Sequence, residues 1–175
     1  RGRIGGRDSR EFERRRRAMT WFLDHLAQVG GLLVTHAYLA VVPLVVGLAL
    51  AVPLGWLATR FPRLYTPLIT ASGLLYTIPS LALFVLMPLV LGLGILNPLN
   101  VIVALTLYTV ALLVRTVADG LSSVPEQVRQ AATAMGIGPV RRFVTVELPL
   151  AVPVIAAGLR VAAVSNVSIV SVAAL

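Results

Sequence analysis

Between Leu32 and Thr59 the chain carries no Asp, Glu, Lys or Arg. At about 1.5 Å per residue, a helix over that run is longer than the ~30 Å hydrocarbon core of a bilayer. Comparable runs follow from Leu64 to Gly94, from Leu99 to Val117 and from Leu148 to Leu175, broken only by Arg115 and Arg160. A soluble core has no use for several stretches of this length. The chain is 58% hydrophobic and 13% charged, and apart from Arg115 and Arg160 its charges sit between the runs. That segregation predicts an all-α integral membrane protein.

The punctuation of the runs sets a topology. Pro43, Gly47 and Pro53 lie inside the first, where a helix bundle tolerates them because neighbouring groups satisfy the freed carbonyls. Arg60 and Arg63 follow in a short loop, which favours the cytoplasmic side. The second run is too long for one straight span. It is interrupted at Tyr76-Thr77-Ile78-Pro79-Ser80, where Pro79 removes a donor and disfavours helix at Ile78. Two helical pieces crossing together, Pro67 to Thr77 and Ser80 to Leu93, are expected. Gly92, Gly94 and the Asn97-Pro98 pair then make an uncharged turn on the outer face. Counting spans from Arg60 places residues 119–147 inside, where Arg129, Arg141 and Arg142 agree with the positive-inside rule.

The same count puts the N-terminus outside, at odds with eight Arg residues before Met19. Translation from Met19 removes the conflict. Residues 1–18 are therefore read as a disordered Arg-rich tail, either solvated or anchored to anionic lipid, and residues 19–175 as the transmembrane domain.

Several function classes are excluded. All 15 basic residues are Arg, and no folded basic face with interleaved aromatics accompanies the tail, so no nucleic-acid partner is expected. Without Cys there is no disulfide, thiol catalysis or cysteine metal site. His25 and His36 are too few for a His-based metal site, and no intramembrane carboxylate pair supports a proton relay. With no Gly-Lys-Ser/Thr loop, the chain is not a P-loop ATPase. It is expected to be neither an enzyme nor a holder of a cofactor.

The polar interval at 119–148 reads as helix, turn, helix. Ser122 or Ser123 is expected to cap the first helix, with Pro125 at its start and Glu126 in the first turn. Gly136 and Gly138-Pro139 end that helix, and Pro139 opens a second one with Arg141 and Arg142 on its polar side. Small Ala side chains on the first helix let a partner approach closely.

Here the sequence resembles the permease subunits of ABC importers, whose cytoplasmic loop reads Glu-Ala-Ala, three residues, Gly, nine residues, Ile-x-Leu-Pro. Gln130-Ala131-Ala132, then Gly136, then Val146-Glu147-Leu148-Pro149 keep that spacing. Gln130 replaces the usual Glu and loses its charge, which puts a salt bridge made there by relatives in doubt; Val146 replaces Ile. The segments VPLGWLATR, LLYTIPSLALFVLMPLVLGLG and VRTVADGLSSVPEQVRQAATAMG are similar to the osmoprotectant branch, which moves glycine betaine, choline or carnitine. Methionine-importer permeases share parts of them.

The resemblance implies a five-helix permease core whose last helix is missing or truncated after Leu175. It implies a bacterial inner-membrane location and ATPase coupling through Glu126, Gln130, Ala131, Ala132, Gly136, Arg141, Leu148 and Pro149. The implied partners are a cytoplasmic ATPase dimer holding ATP and magnesium, a second permease subunit and an extracellular or lipid-anchored binding protein, with membrane lipid around the whole.

Candidate pathway residues come from the spans. Tyr76 and Tyr108 could stack on a quaternary ammonium by cation–π attraction, or could be structural. Pro79 and Ser80 mark the helix break, which would be the substrate site of a self-contained carrier or channel, the reading from another class. Ser165, Asn166, Ser168 and Ser171 either pack helices or touch substrate. Arg160 either serves function or snorkels to the inner interface.

Overall fold

The computed structural model describes residues 20–21, 25–95 and 97–173. The Arg-rich tail, Met19 and Asp24 lie outside them. The chain parts into two units, residues 1–37 and 38–175. In the first, the Trp21 and His25 rings stack at 4.5 Å and His25 Nδ1 donates to the Trp21 carbonyl.

The described residues form helices α1 (Leu26–Arg60), α2 (Pro62–Thr77), α3 (Ser80–Leu91), α4 (Pro98–Ser122), α5 (Glu126–Ala134), α6 (Pro139–Arg142) and α7 (Leu148–Ala173). A π-helical segment, Phe143–Glu147, joins α6 to α7. Among the described residues α1, α4 and the passage Pro139–Ser171 are each long and apolar enough to cross a membrane.

Helix α4 is the hub and packs against α2, α3 and α7. Asn97 caps it by accepting from the Leu99 amide at 3.0 Å, and Pro98 occupies the first turn, where no donor is lost. Leu105, Leu113, Val114, Val117 and Leu121 give it a fully buried face. The main core gathers Ala51 of α1, Leu113 and Val117 of α4, and Ala151 and Ile155 of α7.

Close approach depends on the smallest residues. The buried face of α1 is Ala40, Pro43, Gly47, Ala51, Gly55 and Ala58, three or four residues apart. A Cβ on Gly47 would lie 2.5 Å from Thr109 Cγ2, and one on Gly55 2.6 Å from Val117 Cγ1. On α7, Gly158 sits as tightly against Thr116. Helices in lipid gain little from burying apolar area against one another, so backbone proximity and dispersion carry the association.

The break between α2 and α3 falls at Ile78-Pro79, as the proline predicts, but the pieces meet at a bend of 107°. The two expected pieces, Pro67 to Thr77 and Ser80 to Leu93, are formed as Pro62–Thr77 and Ser80–Leu91. The Leu148 boundary differs from expectation, because α6, the π segment and α7 run on without a gap. Pro149 lacks a donor, and its ring would crowd the carbonyl of Thr145 in a regular helix. The wider π turn, in which the Leu148 amide bonds to the Phe143 carbonyl, accommodates it.

Candidate functional site

The loop candidates between Ser122 and Pro149 are built by three local devices. Ser123 does not cap α5: its Oγ donates to the Gly120 carbonyl at 2.7 Å, and extended Pro125 takes the N-cap position. The Pro125 carbonyl instead accepts from the Val128 amide at 3.1 Å. At the other end Gly136 adopts φ +78°, its amide bonding to Thr133 O and that of Ile137 to Ala132 O at 3.1 Å. Two bonds crossing over a left-handed Gly make a Schellman turn, and this fixes the angle between α5 and the next helix. Gly138 then leads into Pro139, the first residue of α6.

A polar clasp ties the two helices together. Arg142 Nε donates to Glu147 Oε1 at 2.7 Å, and its NH1 to Thr133 Oγ1 at 2.7 Å. Glu147 is only 6% exposed, so its charge is held by one guanidinium that also reaches back to α5. Thr133 Oγ1 in turn donates a hydrogen bond to the Arg129 carbonyl at 2.8 Å. Arg129 lies 3.3 Å from Glu126 and donates to the Val124 carbonyl, while Gln130 reaches Glu126 at 3.4 Å. These groups line an open cleft of about 530 Å³ whose far wall is Trp56, Thr59 and Arg60 of α1. Trp56 and Phe143 meet at 5.2 Å, so the π segment bears on α1 as well.

The sequence-predicted loop residues divide between inward and outward roles. Ala132 is buried and Leu148 packs against the main core. Gln130, Ala131, Gly136, Arg141 and Pro149 are exposed, as are Met135, Val140 and Val144. Arg141 makes no ion pair among the described residues, whereas Arg142, given no role by spacing alone, is the clasp. Glu147 and Thr133 were also missed. The available signal was the single carboxylate enclosed by Val146 and Leu148.

Two of the pathway candidates are brought together. Tyr76 and Tyr108 stack, with ring centroids 4.7 Å apart and planes 25° apart. Pro79 and Ser80 begin α3, and Ser165 is half-buried on α7. Asn166 is 1% exposed and spent on structure: its Nδ2 donates to Ala40 O and Thr109 Oγ1, linking α1, α4 and α7. Ser168 and Ser171 donate to carbonyls of their own helix. Arg160 is exposed and makes no ion pair among the described residues. Among the described residues no group of three His, Asp or Glu could hold a metal.

Residues 51–175 match the family described as binding-protein-dependent transport system inner membrane component. The osmoprotectant import permease protein OsmW of Salmonella typhimurium is 40% identical over 159 residues, 88% of this chain and 73% of that protein. The choline transport system permease protein OpuBB of Bacillus subtilis is 33% identical over 125 residues, 71% of this chain and 56% of its own length. The ergothioneine transport permease and binding protein EgtU of Helicobacter pylori is 42% identical over 108 residues, 62% of this chain and 19% of its own length. Among solved structures, the inward-facing methionine ABC transporter MetNI superposes with a TM-score of 0.71 at 23% identity, covering 86% of this chain and 72% of that one. At that identity the likeness shows the fold alone.

Proposed function

The chain belongs to the binding-protein-dependent transport system inner membrane component family, and from that premise we propose that it is the membrane-spanning permease subunit of an ATP-driven importer for quaternary-amine compatible solutes. Glycine betaine, choline and carnitine are the solute class. Two such permeases form the pathway, a cytoplasmic ATPase dimer supplies ATP hydrolysis with magnesium, and an extracellular or lipid-anchored protein delivers the solute.

The observation that carries this reading is the clasped loop. Helix α5 offers Ala131, Met135 and the Gly136 turn outward, with Val140 and Val144 beside them. An apolar, small-residue surface of that kind suits a protein partner. Behind it, Arg142 joins α5 to Glu147 and Phe143 rests on Trp56. A push on α5 therefore reaches α7 and α1 through stiff contacts. An uncoupled carrier has no need of such a linkage. Within the importer class, the relatives between 30% and 40% identical named for osmoprotectants, choline and carnitine favour quaternary amines over methionine.

Reconstitution of the permease with its ATPase and receptor in vesicles tests the proposal. Glycine betaine or choline uptake should require internal ATP and the ATPase. Uptake by the permease alone would replace this reading with a self-contained carrier, and uptake of methionine alone would change the solute class.

A further inference from the structure

A second pocket, of about 310 Å³, lies between α2 and α4, away from the coupling loop. Ser72 and Tyr76 line it from one face of α2, and Arg115, Thr116 and Asp119 from α4. Tyr108 stacks on Tyr76, a residue that stays 42% exposed. Tyr108, Arg115 and Asp119 recur at helical spacing, so one face of α4 presents an aromatic, a cation and an anion in turn.

The two charges are poorly matched to each other. Arg115 Nε and Asp119 Oδ2 are 3.9 Å apart, and the side chains are 70% and 56% exposed. A ligand carrying both charges could give each a closer partner. Quaternary ammonium groups have no N–H to donate, so only a carboxylate's charge and the face of an aromatic ring can hold them. A carboxylate is the natural acceptor for the guanidinium fork. Both kinds of group face this one cavity, whose volume falls within the range of small-ligand sites.

We propose that the pocket between α2 and α4 binds a small zwitterion, with Tyr76 and Asp119 facing its quaternary ammonium and Arg115 its carboxylate. The inference rests on the quaternary-amine permease reading and deepens it. It gives the permease its own discrimination between betaines and choline, which has no carboxylate. A phosphatidylcholine headgroup carries the same pair of charges, quaternary ammonium with anion, and is the other source of this chemistry.

The test uses the complete importer in phosphatidylglycerol vesicles, with glycine betaine and choline uptake measured in parallel. Arg115→Gln should lower the glycine betaine to choline uptake ratio about tenfold, the value of one charge-assisted hydrogen bond, and Arg115→Lys should restore part of it. Tyr76→Leu should slow both solutes and Tyr76→Phe neither. An unchanged ratio in Arg115→Gln overturns the proposal, whether uptake of both solutes falls equally or of neither. Phosphatidylcholine added to the vesicles separates the sources. Inhibition of the wild type that Tyr76→Leu escapes assigns the pocket to a lipid headgroup, and indifference assigns it to the solute. If the wild type takes up neither solute, the permease reading itself falls; normal wild-type uptake with an unshifted ratio removes only the pocket.

Discussion

Glu147 keeps its carboxylate within 2.7 Å of Arg142 while almost wholly screened from solvent. Removing one partner of such a pair leaves an uncompensated charge, and removing both does not. Arg142→Met should therefore destabilise by about 3 kcal/mol, and Arg142→Met with Glu147→Leu should recover most of it. Thermal unfolding of the detergent-solubilised protein measures both, and simple additivity would show that the pair is not coupled. Gly136 poses a different question. Its φ of +78° strains any L residue, yet no atom lies within 4 Å of where a Cβ would stand. Gly136→Ala should cost roughly 1 kcal/mol through backbone strain alone. Gly136→Trp carries the same strain with added bulk. A larger loss of ATP-driven uptake in the Trp variant would locate a partner surface at this turn, and equal losses would put the cause in the backbone.

At the scale of the element, α1 shows how a membrane helix with two internal prolines stays useful. Pro43 belongs to the buried face and Pro53 does not, and the face itself contains nothing larger than proline. Side chains such as Val45 and Leu50 point away from it and are exposed. Gly55→Leu should push α1 off Val117 and destabilise by about 1–3 kcal/mol, the usual cost of overpacking. Val45→Leu should stay within about 0.5 kcal/mol, as exposed substitutions do. Melting temperatures in one detergent compare the two, and a tolerated Gly55→Leu would refute the close approach. A one-residue widening in the π segment lets the loop helix and the membrane helix remain one rod across Pro149, so the loop is mechanically continuous with α7.

The whole molecule exposes large apolar side chains that water does not accept. Val85, Leu89 and Ile95 are among the most exposed. Lipid or a partner subunit must cover such surface. The orientation proposed from the Arg-bearing loops can be checked directly, because the chain has no cysteine of its own. Gln130→Cys should react with a membrane-impermeant maleimide only in inside-out vesicles, and Ile95→Cys only in intact spheroplasts. Reversed labelling would invert the topology and remove the coupling loop from the cytoplasm.

Charge-free runs, Pro and Gly act over a few neighbouring residues, and what depends on them was legible in the sequence. The helix over α4 was expected from Leu99 to Val117 and extends from Pro98 to Ser122. The break at Pro79 and the turn at Gly136 fall where those residues require them. The spacing of Gln130, Gly136 and Pro149 could likewise be read without coordinates. Tertiary structure decided what depends on which helices touch. Asn166 is consumed by Thr109 and Ala40, residues far from it in the chain, so no periodicity could reveal its partners. Arg142 rather than Arg141 forms the clasp because the Schellman turn folds Thr133 back toward it. Arg115 and Tyr76 share a cavity only because α2 lies along α4. Local sterics write helices and turns into the sequence; the pairing of distant polar groups waits for packing to choose their neighbours.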